Sequence, residues 1–480
     1  MNAKGVQPTA QASGQGAAET LIPKSIPMLD DLSELYEADE LEAQAKRWAR
    51  IEAGFFTRFP ERKLQTPFFF SVPGRTELCG NHTDHNGGMV LAGAVNLDLV
   101  AAALPRVDCI VRIYSEGFGG FELDIGELYP RPEEKASSQA LVRGMAEGLS
   151  QSAGKASTAR EGILGGADEG ERSLALRGFD AYIDSRVPPG SGLSSSAAFE
   201  VLIGSIFAIF AGIEISPARL AAIGQNAENR HFGKPSGLMD QTACALGSLV
   251  LIDFADPGQA SIKLMGFDPG EFGFSLAILG TGESHASLNE NYASIPREMG
   301  TVAAFLGKDR LCGTTKAELL SRATEIRCAC GDRAFLRAWH FAGETLRPLA
   351  MAKAIQAKDM GTYLAIVQAS GDSSYKYLQN IYPEPRSLPA AMDGGAARGQ
   401  GAGQTLACAL ALTEDFLSGE GACRVHGGGF AGTIQAYVPS NRKEAYRNLV
   451  ERHFGAHSLY WIKTRRHGAV CIEHPSRSNR

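Results

Sequence analysis

A run of glycine and serine that opens directly onto an apolar stretch constrains this chain more than any other segment. Residues 188–210 read PPGSGLSSSAAFEVLIGSIFAIF. Small residues let backbone N–H groups approach an anion closely, and the start of a helix adds a favourable dipole. Pro189, Gly190, Ser191, Gly192, Leu193, Ser194, Ser195 and Ser196 therefore read as an anion cradle, with serine hydroxyls able to bond phosphate or ligate magnesium. The alternatives are a flexible linker or a plain helix cap, but a linker would not run straight into so apolar a helix. The loop is not the G-x-x-x-x-G-K-[ST] pattern, because no lysine follows, and it is not a dinucleotide fingerprint. The apolar stretch is short for a bilayer span and contains glycine, so it predicts a buried helix from about Ala197.

Strand-like alternation at Phe179, Ala181 and Ile183 precedes the cradle. Residues 67–72 read as a strand entering a loop at Pro73-Gly74. Val111 to Tyr114 and Phe121 to Ile125 flank a glycine turn and suggest a hairpin, and 248–254, 272–279 and 433–438 read as further strands. Helical spacing appears in 29–55, in 334–369 and near 404–418. Strands and helices mix without regular βαβ alternation, which predicts an α+β fold. A length of 480 residues suits two domains. Residues 1–25 read as a disordered tail and 150–174, rich in Ser, Ala, Gly and charge, as a surface insertion.

Three further motifs carry possible chemistry. Residues 73–88 (PGRTELCGNHTDHNGG) crowd Arg75, Asn81, His82, Asp84, His85 and Asn86 between glycines. Such a set could bind many hydroxyls at once, could hold a metal through His82, Asp84 and His85, or could be a solvated polar loop. Glu228 stands twelve residues before Asp240, in AENRHFGKPSGLMDQTACALGS. That spacing suits one acid on magnesium and one near an acceptor hydroxyl, although a helix-end Glu and a buried, paired Asp would look the same. Residues 426–433 (HGGGFAGT) allow close backbone approach or a tight turn.

These four motifs, in this order, resemble the galactokinase branch of the GHMP kinases over about residues 67–440. The spacing from Gly282 through His285 to Tyr292 is similar as well. The resemblance implies a two-domain α+β fold, with a ribosomal-protein-S5-like N-terminal domain over 26–255 and a ferredoxin-like C-terminal domain over 256–480. It implies ATP and Mg2+ as cofactors and phosphoryl transfer to the C1 hydroxyl of a sugar. Asp240 would accept or orient the hydroxyl proton, and Arg75 beside it would stabilise charge on the transferring group. Ser196 and Glu228 would hold magnesium, the 189–196 loop would wrap the ATP phosphates, and Asn81, His82, Asp84, Gly237 and Tyr292 would line the sugar pocket.

The chain also departs from the family pattern. Galactokinases usually carry Glu where this chain has Asn81, Tyr at His85 and Asn at Glu77. A 1-kinase for galacturonate, arabinose or an amino sugar stays open beside galactose, as does a non-catalytic sugar and ATP sensor. Sensors tend to lose motif residues, whereas Arg75, Ser196, Glu228 and Asp240 are all present. The net charge of -6 gives no basic surface for nucleic acid. The first 20 residues lack the apolar core of a secretory signal, and the nine cysteines have no framework spacing. Together these features predict a cytoplasmic monomer with no membrane or nucleic-acid partner.

Overall fold

The computed structural model describes residues 23–161, 176–234, 236–256, 260–282, 288–382 and 404–472. Of the expected tail, 1–22 lie outside the described residues. The expected insertion begins inside the helix Ser138–Glu161, and its remainder, 162–174, is likewise outside. Two sheets organise the chain and bear out the α+β expectation.

The larger sheet has nine strands. Its spine is a hairpin of two long strands, Phe68–Cys79 and Met89–Pro105, paired antiparallel. Phe179–Ser185 pairs with the far half of Met89–Pro105, and Leu249–Asp253 with its near half. Alternation along these strands explains why both faces are covered. Phe70, Val72, Ala101 and Ala103 point to one face, against the helices Ser138–Glu161, Ser195–Phe210 and Pro217–Ala227. Phe69, Val100 and Ala102 point to the other, where Trp48 of the helix Leu41–Arg58 stacks on Phe69 at 5.3 Å between ring centroids. Each such fully buried aromatic contributes about 1.5–3 kcal/mol.

The expectation of a loop at Pro73-Gly74 is corrected. The strand runs on to Cys79 and absorbs the proline as a register shift between Pro73 and Arg75. Proline cannot donate to a ladder, so an irregularity is where a paired strand tolerates it. Arg75 therefore stands on a strand inside the sheet, and the polar loop proper is 80–88. The strand Met89–Pro105 has no counterpart among the sequence expectations.

The smaller sheet orders Ala422–His426, Thr433–Pro439, Phe274–Gly280 and Leu459–Ile462, all antiparallel. Its glycine-rich turn, 427–432, points back at the larger sheet. Helices from Asn289–Phe305 to Asp332–Glu344 form a further cluster, against which Phe430 and Ala431 of that turn pack. The chain then returns to the larger sheet, where Val470–Ile472 pairs with Phe68–Cys79 and Met28–Leu29 pairs with Val470–Ile472. Among the described residues no helix is long and apolar enough to cross a membrane.

Candidate active site

Three elements converge on one carboxylate. Asp240 sits in the first turn of the helix Met239–Leu246. Arg75 reaches it from the sheet, with Nε donating to Oδ1 at 2.8 Å and a second guanidinium nitrogen 2.7 Å from the same oxygen. Ser194 Oγ donates to Asp240 Oδ2, and the remaining arm of Arg75 donates to the Gly192 carbonyl. The Arg75 backbone N–H donates to the Leu193 carbonyl at 3.0 Å. Burial works against the charge of Arg75, yet Asp240 holds its pKa above the ordinary range. The two residues expected to act together are thus in contact, and both are tied to the glycine-serine loop.

That loop is shaped by backbone conformation. Gly192 has φ +71° and Ser194 φ +57°, so left-handed residues alternate just before the helix Ser195–Phe210. Successive N–H groups in such a conformation form a concave anion site. Glycine is required at 192 for a second reason: a Cβ there would stand 2.8 Å from His426 Nδ1. His426 bonds Thr433 Oγ1 and Thr76 Oγ1, each at 3.0 Å, and Thr433 Oγ1 donates to the Ser191 carbonyl at 3.0 Å. The glycine-rich strand pair thereby braces the loop from beneath. Burial drives His426 well below its usual pKa, so the brace is neutral. Leu193 and Ser191 are buried anchors, while Pro189 and Gly190 are exposed, and Ser195 and Ser196 are half-buried in the first helical turn.

Glu228 lies in a π-turn after the helix Pro217–Ala227 and is buried. Its Oε1 accepts from Lys234 Nζ at 2.9 Å and its Oε2 from Gln241 Nε2 at 3.0 Å. Gln241 also donates to Glu200 Oε2 at 2.9 Å. Burial, then the neighbouring Glu228, pushes the Glu200 carboxyl well above its usual range. Sequence reasoning missed Glu200 and Gln241. Their signal was an acid inside an apolar helix and an amide immediately after Asp240. A hydroxyl and a carboxylate are hard-oxygen donors of the kind magnesium takes. Lys234, with a side chain 58% exposed, already places a removable cation on Glu228. Ser196 and Glu228 are hard-oxygen donors of that type.

Across from the loop, 80–88 presents His82 and Asp84. His82 Nε2 bonds the Gly428 carbonyl at 3.0 Å, and burial, then nearby His85, pushes its pKa down to about 4. Burial raises the Asp84 carboxyl, but the hydrogen bonds from His85 and the two neighbouring imidazoles together outweigh it and hold the group below its usual range. Gly237 abuts Asp84 so closely that a Cβ would overlap Oδ2 at 1.6 Å. Tyr292 packs on Gly428 and donates its hydroxyl to the Gly429 carbonyl at 2.8 Å. His82 and Tyr292 thus meet the 427–429 turn, and Asp84 and Gly237 meet each other.

Asn81 departs from expectation. It is fully buried and its amide is spent internally, donating to Glu77 Oε1 at 3.1 Å and to the Gly427 carbonyl at 2.7 Å. Its Oδ1 accepts from Asn380 at 3.0 Å. Buried amides must satisfy donors and acceptors in place, so Asn81 holds the loop rather than facing a ligand. Residues 283–287, including His285, lie outside the described residues. Among the described residues no cluster of His, Cys, Asp and Glu could hold a metal, so the alternative of a metal at His82, Asp84 and His85 finds no support.

Residues 144–248 match the family model for the GHMP kinases N terminal domain, and 54–105 match the galactokinase galactose-binding signature. A crystal structure of Mevalonate Kinase from Methanococcus jannaschii shares the fold at a TM-score of 0.52 and 14% identity, covering 83% of this chain and 98% of that one. The two matched segments contain Arg75, the glycine-serine loop and Asp240, so the part of the chain that is similar to GHMP kinases is the part that carries the site. Its similarity to curated proteins is specific. It is 28% identical over 426 residues to a galactokinase of Glaesserella parasuis, covering 87% of this chain and 97% of that protein. It is 29% identical over 380 residues to one of Actinobacillus pleuropneumoniae, covering 79% and 87%. The fold is also that of Lactococcus lactis galactokinase, crystallised with galactose, at a TM-score of 0.66 and 22% identity over 88% of this chain and all of that one. The similarity to these galactokinases thus extends over most of the chain.

Proposed function

We propose that this chain transfers the γ-phosphate of ATP to the C1 hydroxyl of galactose. The observation that carries the reading is the position of Asp240, bonded on one side to the phosphate loop through Ser194 and on the other to Arg75. The loop binds the ATP phosphates through its backbone. Asp84, His82, Gly237 and Tyr292 hold the sugar, with its C1 hydroxyl facing Asp240. Asp240 accepts or orients the hydroxyl proton, and Arg75 neutralises charge gathering on the transferring group. Phosphoryl transfer depends mainly on such positioning and neutralisation. His82, neutral near pH 7, offers a hydrogen bond without adding charge.

Magnesium, when bound by Ser196 and Glu228, supplies charge neutralisation at the ATP phosphates. Gln241, itself bonded to Glu200, would orient Glu228, and Lys234 balances the Glu228 charge. Glu228→Ala should raise the magnesium requirement steeply, and an unchanged magnesium titration would place the metal elsewhere. The remaining expectations belong to the same proposal: a monomer working in the cytoplasm, divided near residue 255, with the strands Ser261–Met265 and Val470–Ile472 joining the larger sheet from beyond that point. The function itself is tested by ADP release with magnesium-ATP across a panel of monosaccharides. Release with galactose above galacturonate, arabinose and amino sugars supports the reading. Release with none of them defeats it in favour of a sensor.

A further inference from the structure

A second cavity, of about 500 Å³, lies behind the 80–88 loop and contains none of the residues assigned above to phosphate, metal or sugar. Its wall carries two cations. A Cβ built on Gly343 would stand 2.9 Å from Lys316 Nζ and 3.8 Å from an Arg347 guanidinium nitrogen, so both charges face the space that this glycine leaves open. Among the described residues no carboxylate pairs with Lys316, which rests instead 5.1 Å above the ring of Trp339. Burial, and then Arg347, hold its ammonium below the usual pKa. The cavity's acid, Asp253, is engaged by the Ala255 backbone N–H at 2.9 Å.

The hydroxyls on the wall have a common bias. Thr314 Oγ1 accepts from Lys308 at 3.0 Å, Thr315 Oγ1 from the Glu318 N–H at 3.1 Å, and Thr345 Oγ1 from the Met89 N–H at 3.0 Å. Each has spent an acceptor site and keeps its proton to donate. Two cations and three donor hydroxyls around one space suit a ligand rich in anionic acceptors.

One wall residue also connects to the sugar loop. Arg347 bonds Glu344 Oε2 at 2.5 Å, and the other oxygen of Glu344 accepts from the backbone N–H of Gly80 at 3.0 Å and of Asn81 at 3.3 Å. An anion that draws on Arg347 competes for the partner of Glu344 and so acts on the loop bearing His82 and Asp84. We infer that this cavity is a regulatory site for a small phosphate-bearing metabolite, whose occupancy changes the apparent affinity for the sugar. The coupling half of the inference rests on the proposed role of the 80–88 loop, whereas binding does not.

The test uses the full chain with inorganic phosphate as probe and saturating magnesium-ADP to keep the phosphate loop filled. Trp339 beneath Lys316 serves as the fluorescence reporter. Phosphate should change tryptophan emission saturably. Lys316→Met should weaken that binding roughly tenfold or more, the loss expected for a charged hydrogen bond. Gly343→Ala, whose new methyl would meet Lys316 Cε at 2.8 Å, should do the same without removing a charge. Trp339→Phe should remove the signal. In assays with ATP and galactose, phosphate should shift the galactose KM of the wild type and leave that of Lys316→Met unmoved. Phosphate binding of equal strength in wild type, Lys316→Met and Gly343→Ala would overturn the site. A KM shift that persists in Lys316→Met would overturn the coupling. Because emission is read without turnover, failure of the site is distinguishable from failure of the kinase reading.

Discussion

Two arginine–carboxylate pairs stand on the same strand, two residues apart, and do different work. Arg75 pairs with Asp240, and Glu77 pairs with Arg424. The Asp240 side chain is 30% exposed, whereas those of Glu77 and Arg424 are 4% and 0% exposed. Burial pushes the Glu77 carboxyl up, and Arg424 and Asn81 only partly offset it. Arg424 also donates to the Leu78 carbonyl at 2.7 Å, so this pair ties the glycine-rich strand pair to the larger sheet. The same chemistry is thus framework where it is sealed and, in the proposed mechanism, a reactive group where one partner is exposed.

Breaking the sealed pair should have the largest effect. Arg424→Met leaves Glu77 buried without its cation, a change that costs about 3–5 kcal/mol. Denaturant unfolding should show that loss, and a midpoint equal to the wild type's would mean that the pair is not the tie described. Asp240→Asn should do the reverse. Turnover should fall by about 100-fold or more while the unfolding midpoint and ATP binding stay close to the wild type's. Near-normal turnover in the folded variant would remove Asp240 from the mechanism.

The smallest effect sharpens the comparison at residue 81. Asn81→Glu sets a second buried carboxylate where the amide now lies 3.1 and 3.3 Å from the oxygens of Glu77, and should weaken galactose use about tenfold. The family resemblance adds a constraint, because the chain carries Glu at 77 and Asn at 81 where galactokinases usually carry Asn and Glu. The two departures are one exchange across a hydrogen bond. Glu77→Asn together with Asn81→Glu should recover activity lost by the single change, with a coupling of roughly 0.5–3 kcal/mol in a double-mutant cycle. Strictly additive kcat/KM losses would show that the two positions are independent.

The motifs that bring Arg75, Asp240 and the glycine-serine loop into contact were legible because each is contiguous and its residue types match the proposed chemistry. The strand Met89–Pro105 was not. Its run MVLAGAVNLDLVAAALP is rich in alanine, and it becomes a strand because Phe68–Cys79 pairs along most of one edge while Phe179–Ser185 and Leu249–Asp253 pair with the two ends of the other. The extension of Phe68–Cys79 through Pro73-Gly74 was hidden by local turn chemistry that tertiary pairing overrode. Asn81 was misread as sugar-facing because its partners, Gly427 and Asn380, are 346 and 299 residues away in the chain. Glu200 and Gln241 were passed over for the same reason, since nothing local says that Gln241 spans two acids.

Asp240, held between the glycine-serine loop and Arg75, is proposed to direct ATP's phosphate onto the anomeric hydroxyl. Phosphorus–proton correlation NMR on the product formed from galactose and magnesium-ATP reads the outcome at the bond that forms. A single phosphomonoester coupled to H1 of the sugar is expected. Phosphate on any other carbon would contradict it, as would ADP and free phosphate formed in place of a sugar phosphate.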